Sequence, residues 1–193
     1  MEKQFSIRLS NYEKELLQKE LKKSKNYLEF GSGGSTILAV TEGLCENIVS
    51  VESDYNWIEE LKTSNTINSA QNLTFEYVDV GNVGSWGTPI EADKKELFPN
   101  YSSKVFKDFP YDYDLVFIDG RFRVACTLQT ILNCSKEVTI IIHDYNNRPQ
   151  YHCVLNFLDI IYTIDTIAVF KIKKNINKVK LYKYYEKYKY NYQ

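Results

Sequence analysis

Residues 27–36, Tyr27-Leu28-Glu29-Phe30-Gly31-Ser32-Gly33-Gly34-Ser35-Thr36, constrain the fold more than any other stretch. A strand candidate over 26–30 runs into a glycine-rich turn over 31–34 and then into a helix candidate over 35–44. Glycines let the backbone approach a ligand closely, and a helix N-terminus offers unpaired N–H groups. The same rhythm continues along the chain. Strands are expected at 47–52, 73–78, 115–118 and 138–142, and helices at 55–64, 122–134 and 150–159. Two β-prone runs around Asp165, within 162–172, are expected to pair as a terminal hairpin. Ahead of the first strand, Ser10 and Glu13 form a capping box, and Leu16, Leu17 and Leu21 give an amphipathic helix over 11–23. Fully apolar strands separated by helices predict an α/β chain: a doubly wound, mostly parallel seven-stranded sheet, helices on both faces and a C-terminal antiparallel hairpin. Ligands in such sheets bind at the carboxyl ends of the strands, near the switch point.

The division expected is an N-terminal helix at 1–24, a main domain at 25–172 and a basic tail at 173–193. Residues 81–110 interrupt the rhythm with Gly81, Gly84, Gly87, Pro89, Pro99 and Pro110. Their aromatics Trp86, Phe98, Tyr101 and Phe106 favour an ordered lid over a disordered loop. Residues 171–193 hold eight lysines, six tyrosines and one acid, Glu186, in a chain of net charge −1. Such a stretch suits an anionic partner, but a solvated, partly disordered end is the expectation favoured here. Hydrophobic residues at 44% and charged residues at 25% are a globular balance, which excludes a disordered chain. The longest apolar run, 138–142, is too short to span a bilayer, and Met1 precedes a charged stretch rather than a signal-type apolar run. Cys45, Cys126, Cys134 and Cys153 contain no CxxC pair, and Cys126 and Cys134 are too far apart for a zinc knuckle. Reduced, buried thiols and a cytoplasmic location are expected.

Dinucleotide binders need G-x-G-x-x-G, whose sixth position is Thr36 here. Glu29, just before the turn, suits a cationic ligand such as the amino group and sulfonium of S-adenosylmethionine. This stretch resembles motif I of the class I (Rossmann-like) S-adenosylmethionine-dependent methyltransferases, and the likeness extends over about 25–172. It implies cofactor contacts from Glu29, Gly31, Ser32, Gly33, Ser35 and Thr36. It also implies that Glu52, ending the second strand, holds the ribose hydroxyls, and that Asp79, after the third, faces the adenine. A nicotinamide-binding protein is the reading that Glu29 and Thr36 weigh against.

The fourth and fifth strands end in Asp119-Gly120-Arg121-Phe122-Arg123 and His143-Asp144-Tyr145. An alcohol acceptor must lose a proton during methyl transfer, to a carboxylate or with the help of a divalent metal. The pattern looks like small sugar and catechol-type O-methyltransferases. That likeness implies a catalytic role for Asp119, His143 and Asp144, with Asp119 contacting the cofactor as well. Asp119 is then the base or the first metal ligand, with His143 and Asp144 as its partners in a metal site. His143 replaces an acid common in the sugar-modifying enzymes, which leans the site toward Mn²⁺ rather than Mg²⁺, or toward no metal and His143 as base.

The block 119–126, with His143-Asp144-Tyr145, Arg148-Pro149-x-Tyr151-His152 and Trp86-Gly87-x-Pro89, resembles a narrower group: small methyltransferases of polysaccharide biosynthesis, including a domain appended to a viral rhamnosyltransferase. The resemblance implies a glycan acceptor, such as a terminal rhamnose or similar deoxyhexose, and a glycosyltransferase as fused or separate partner. A catechol-like small molecule remains the other acceptor class, a homo-oligomer is compatible, and nucleic acid is disfavoured because no Asn/Asp-Pro-Pro-aromatic element follows the fourth strand. Arg121, Arg123 and Arg148, three of only four arginines against twenty lysines, are candidates for fixed bidentate contacts. Trp86 and Tyr145 offer flat faces to a sugar ring, and His152 joins them at the rim.

Overall fold

The computed structural model describes residues 5–91 and 94–193. The strands are β1 (Asn26–Phe30), β2 (Asn47–Glu52), β3 (Leu73–Tyr77), β4 (Leu115–Ile118), β5 (Thr139–Ile142), β6 (Leu158–Ile164) and β7 (Ile167–Ile172). They form one sheet in the order β3-β2-β1-β4-β5-β7-β6. The first five run parallel, and β7 pairs antiparallel with both β5 and β6. The order reverses between β1 and β4, so the switch point lies where the glycine turn leaves the sheet. The expected architecture is the one observed.

Successive side chains of the inner strands point to opposite faces, and each face has its own apolar layer. Tyr27, Ile48, Leu115, Phe117 and Ile141 pack with Leu16, Leu17 and Leu21 of α1 (Asn11–Leu21) and with Leu38 and Ala39 of α2 (Gly34–Glu42). Leu28, Phe30, Val49, Val116, Ile118 and Ile140 pack on the other face. The helical residues among them come from α5 (Phe98–Ser103), α6 (Val105–Asp108), α7 (Arg123–Asn133) and α8 (Lys178–Tyr188). Between the two groups in sequence lie α3 (Tyr55–Leu61) and α4 (Asn65–Ser69). No helix of the described residues is long and apolar enough to cross a membrane.

Four expectations change. The helix expected at 55–64 stops at Leu61, where the hydroxyl of Thr63 turns back onto the Glu60 carbonyl, and a further short helix, Asn65–Ser69, follows beyond the expected range. The helix at 150–159 is a 3₁₀ helix over Pro149–Asn156, and the chain then enters edge strand β6, which carries the β-prone Ile160, Ile161 and Tyr162. The insertion is only partly a lid. Phe98, Tyr101 and Val105 are core residues of α5 and α6, with Pro99 in the first turn of α5. The open part is 81–90, closed on itself by a Val83–Pro89 bridge. The tail is the fourth correction.

Residues 177–188 fold as a capped helix. Asn177 accepts the Lys180 N–H, and Leu181 and Tyr185 are buried against α7. Tyr192 then meets Phe98 and Phe122 edge-on. An apolar stripe at i, i+4 is enough to seat a helix, and the interleaved lysines stay in water. Leu181→Ala is expected to lower unfolding free energy by about 2–3 kcal/mol, as for other buried leucines, in urea denaturation. A change near zero would make the tail dispensable.

Candidate active site

The carboxyl ends of β1 and β4 are pressed together by two glycines. Gly31 has φ +95°, and a Cβ there would lie 2.6 Å from the Gly120 nitrogen. The Gly31 N–H donates to the Val51 carbonyl at 2.8 Å, and the Asp119 N–H to the Phe30 carbonyl at 2.9 Å. Above this junction lies a cavity of about 910 Å³, a size that suits a cofactor with its substrate. Of the residues expected in the site, Gly31, Ser32, Gly33, Ser35, Glu52, Trp86, Asp119, Arg121, Arg123, His143, Asp144 and Arg148 line it.

Glu29 and Thr36 do not. Glu29 is fully buried and accepts hydrogen bonds from Ser50 at 2.7 Å, from Tyr27 at 3.1 Å and from Thr36. The Thr36 hydroxyl in turn accepts the Gly33 N–H at 2.8 Å. Glu29 therefore shapes the glycine turn from beneath rather than facing a cationic ligand. Burial pushes its pKa up to about 7 against the bonds from Thr36 and Ser50. The folded protein then holds a proton that the unfolded chain releases near pH 4.5. Its contribution to stability is full below that pH and is lost as pH rises to about 7. Relative to Glu29→Gln, the wild type should lose stability across this window, by up to about 3 kcal/mol. Denaturant melts of both proteins at pH 5 and 7.5 check this, and a constant difference contradicts it.

Glu52 is the acid that does reach the cavity. Its carboxylate accepts the N–H groups of Ser32 at 3.1 Å, Ser53 at 2.6 Å and Asp54 at 3.0 Å. The Ser53 hydroxyl adds a fourth contact at 3.4 Å, but three of the four fall on Oε1, so Oε2, which takes only the Ser32 N–H, keeps one acceptor position for a ligand hydroxyl. Gly87 of the open loop lies over it, where a Cβ would come within 2.9 Å of the Ser53 hydroxyl. Asp79 turns away: it accepts the Gly81 N–H and pairs with Lys94 at 2.9 Å, outside the cavity lining. The expected adenine contact is therefore not made by Asp79 in this arrangement, because its own turn takes up the carboxylate.

At the other end, Arg123 organises the polar residues. Its guanidinium donates to Asp119 and to Asp144, each at 3.1 Å, and to the carbonyls of Asp119, Gly120 and His143. His143 Nδ1 lies 2.7 Å from Asp119 Oδ1. A carboxylate accepts, so Nδ1 carries the proton. Nε2 lies 3.8 Å from the carboxylate of Glu13 on α1. Burial opposes a charged imidazole, but the bond and charge of Asp119 outweigh it and hold the His143 pKa above its ordinary value. Burial likewise pushes the Asp144 pKa up, and Arg123, His143 and Arg148 bring it below the usual range. Among the described residues, Asp119 Oδ2 has no hydrogen-bond partner, and Asp119 lines the cavity.

Three non-glycine residues at the site hold positive φ: Trp86 at 62°, Phe122 at 55° and Asp144 at 59°. Such positions cost about 1–3 kcal/mol each and persist where the surroundings dictate them. Two of them flank the Arg123 contacts: Phe122 precedes it in the chain, and Asp144 pairs with its guanidinium. Arg148 adds a second cation to Asp144 at 3.1 Å.

The ligand atoms of Asp119, His143 and Asp144 lie within 4.8 Å of one another. Their environment does not fit a divalent cation. The Arg123 guanidinium already bridges the two acids, and Asp119 holds the His143 ring by Nδ1. A second cation among these groups would meet that fixed positive charge.

Two rim candidates are corrected. Tyr145 is buried, packed edge-on against Phe170, and His152 lies over its other face with Nε2 bonded to the Tyr145 carbonyl. Neither lines the cavity. Trp86 is 72% exposed at the rim, where the Arg121 Nε–H donates to its carbonyl at 2.9 Å. Sequence reasoning missed the N-terminal segment 5–9, which walls the cavity: Ile7 sits on Gly34, Phe5 meets Trp57 edge-on, and Arg8 lies over the Trp86 ring at 5.9 Å. The alternation of Phe5, Ile7 and Leu9 was the available signal. Glu13 was read only as a cap; it also accepts from Thr166 and stands behind His143.

No protein-family model matches the chain, and no curated protein matches it in sequence. Solved structures do. A methyltransferase-like protein from Silicibacter pomeroyi superposes with TM-score 0.86 at 28% identity, over 98% of this chain and 99% of that one. The precorrin-6y C5,15-methyltransferase of Geobacter metallireducens matches with TM-score 0.55 at 11% identity, over 89% and 94% of the two chains. The N-methyltransferase NodS of Bradyrhizobium japonicum, in complex with S-adenosylhomocysteine, matches with TM-score 0.53 at 9% identity, over 86% and 90%. At such low identity these last two speak for the fold alone. With the parallel sheet, its reversed β7 and the glycine turn at the switch point, they establish that this chain has the Rossmann-like fold of class I S-adenosylmethionine-dependent methyltransferases.

Proposed function

We propose that the chain transfers a methyl group from S-adenosylmethionine to a sugar hydroxyl, with Asp119 as the proton acceptor. The observation that carries this reading is the position of Asp119. It stands where the glycine turn meets the end of β4, fixed through Oδ1 by Arg123 and His143, with Oδ2 unpartnered in the cavity.

S-adenosylmethionine supplies an electrophilic methyl on a sulfonium. The residues that would hold it are Gly31 to Gly33, Ser35 and Glu52, the last through its remaining acceptor position. This chain must then orient the acceptor oxygen and remove its proton. With the cofactor bound, the methyl C–S bond would break as the acceptor oxygen takes the methyl, S-adenosylhomocysteine would leave, and Asp119 Oδ2 would accept the hydroxyl proton. His143 and Arg123 keep the carboxylate aimed, and Glu13 steadies the far side of the imidazole. No metal takes part in this scheme.

A sugar is favoured over a catechol by the likeness of 119–126, 143–145 and 148–152 to methyltransferases of polysaccharide biosynthesis. A terminal rhamnose or similar deoxyhexose is the acceptor of choice, and a glycosyltransferase is the natural partner enzyme.

The test incubates the protein with S-adenosylmethionine and a panel of rhamnosides, other hexosides and catechols, and follows S-adenosylhomocysteine and product mass. Methylated sugar, formed equally with EDTA present, is the expected result. Methylated catechol alone would replace the acceptor class. Binding of NAD⁺ in place of S-adenosylmethionine by calorimetry would overturn the whole reading.

A further inference from the structure

All four arginines of the chain, Arg8, Arg121, Arg123 and Arg148, line the one cavity, whereas none of the lysines among the described residues does. Lysine outnumbers arginine five to one here, so composition alone would give the opposite bias. Arginine differs from lysine in its rigid fork of donors, which matches carboxylate and phosphate oxygens in pairs.

The four guanidinium groups are not equally engaged. Arg123 is saturated by Asp119, Asp144 and three carbonyls. Arg148 shares Asp144 with it. Arg121 donates Nε–H to the Trp86 carbonyl and has no carboxylate partner, so both of its NH₂ groups are uncommitted among the described residues. Arg8 stacks on Trp86 and has no ion pair with an acid among the described residues. Three guanidinium groups stand around Asp119 and Asp144, and Arg8 adds a fourth from the N-terminal wall; the other acids of the cavity, Glu52, Asp54 and Glu60, pair with none of them among the described residues. Burial, with the charges of Arg123 and Arg148, also pushes the Arg121 pKa down. Arginine stays charged even so, and among the described residues no carboxylate forms an ion pair with Arg121.

We propose that the acceptor carries an anionic group, a phosphate or a carboxylate, which Arg121 binds through its free NH₂ groups with Arg148 and Arg8 beside it. This inference rests on the methyltransferase reading and narrows its substrate: a rhamnose or similar deoxyhexose that carries a phosphate or nucleotide, or that stands beside a uronate in its glycan, rather than an uncharged glycoside. The anion, held at a fixed distance from Asp119, sets which hydroxyl is methylated.

The experiment loads the protein with S-adenosylhomocysteine and titrates three probes by calorimetry: methyl rhamnoside, rhamnose 1-phosphate and methyl glucuronide. S-adenosylhomocysteine binding is itself the control on the underlying reading, and its failure would remove that reading before any acceptor is added. With it intact, at least one anionic probe should bind ten-fold or more tighter than the neutral rhamnoside. The phosphate and uronate arms say which anion the site takes. Arg121→Gln should abolish that advantage and leave S-adenosylhomocysteine affinity within about two-fold, and Arg148→Gln should reduce it, with thermal melts showing both variants folded. Equal binding of neutral and anionic probes, or no binding of any, overturns the proposal. So does an Arg121→Gln variant that loses S-adenosylhomocysteine and the anionic probe alike, because the arginine would then serve the cofactor's own carboxylate.

Discussion

Asp119→Asn should lower turnover at least ~100-fold, the scale of a lost general base, while S-adenosylmethionine still binds with near-normal affinity. The amide preserves the shape of the carboxylate. Its oxygen can keep accepting from Arg123 and from His143 Nδ1, so the local structure has no reason to collapse. What disappears is the basic atom facing the cavity. Calorimetry with S-adenosylmethionine and a single-turnover assay on the same preparation separate the two effects. An almost fully active variant would remove Asp119 from the chemistry. Parallel loss of cofactor affinity would show that the Asp119–Gly120 turn matters only because Gly31 packs on it.

Arg123→Met is expected to have the largest effect on stability. Its side chain is only 7% exposed and holds two acids that are themselves mostly sheltered, at 26% and 19% exposure. Removing one partner of a buried pair leaves the other charges unpaired, at a cost of about 3–5 kcal/mol. The partial exposure of both acids places this case near about 3 kcal/mol, measurable as a shifted urea midpoint at unchanged slope. The same variant should acquire affinity for Mn²⁺, because Asp119, His143 and Asp144 would then meet without a cation between them. The wild type should bind none and should keep its activity in EDTA. Stoichiometric Mn²⁺ binding by the wild type would mean that the guanidinium does not pre-empt the site.

Much of this site was legible in the chain before folding. Strands β1, β2 and β4 begin and end where alternation and turn residues place them, and the residues at their carboxyl ends, Gly31, Glu52 and Asp119, do meet in one cavity. A fully buried parallel strand announces itself as an apolar run, and the next polar residue is necessarily at its end. Residues off those ends were less legible. Glu29 has the composition of a ligand contact, but strand alternation turns it inward, beneath the turn. Tyr145 and His152 follow β5 closely, yet Tyr145 packs into the core against Phe170, and half-buried His152 stacks on Tyr145 rather than facing the cavity. Asp79 follows the third strand as expected, but Gly81 and Lys94 claim it locally.

By itself, the sequence determined the sheet, the glycine turn and the acids at its strand ends. Those features depend on short-range patterns, namely period-two burial, capping and the backbone freedom of glycine, which operate over a few residues. The tertiary structure alone decided which charges stand together. Arg123 is 20 or more residues from His143 and Asp144, Glu13 reaches His143 from the opposite end of the chain, and Arg8 arrives across the cleft from Arg121. Nothing local links these groups. They meet because packing α1 on one face of the sheet and α7 on the other delivers side chains from distant segments to the carboxyl ends of β4 and β5, where the low dielectric makes each pairing count.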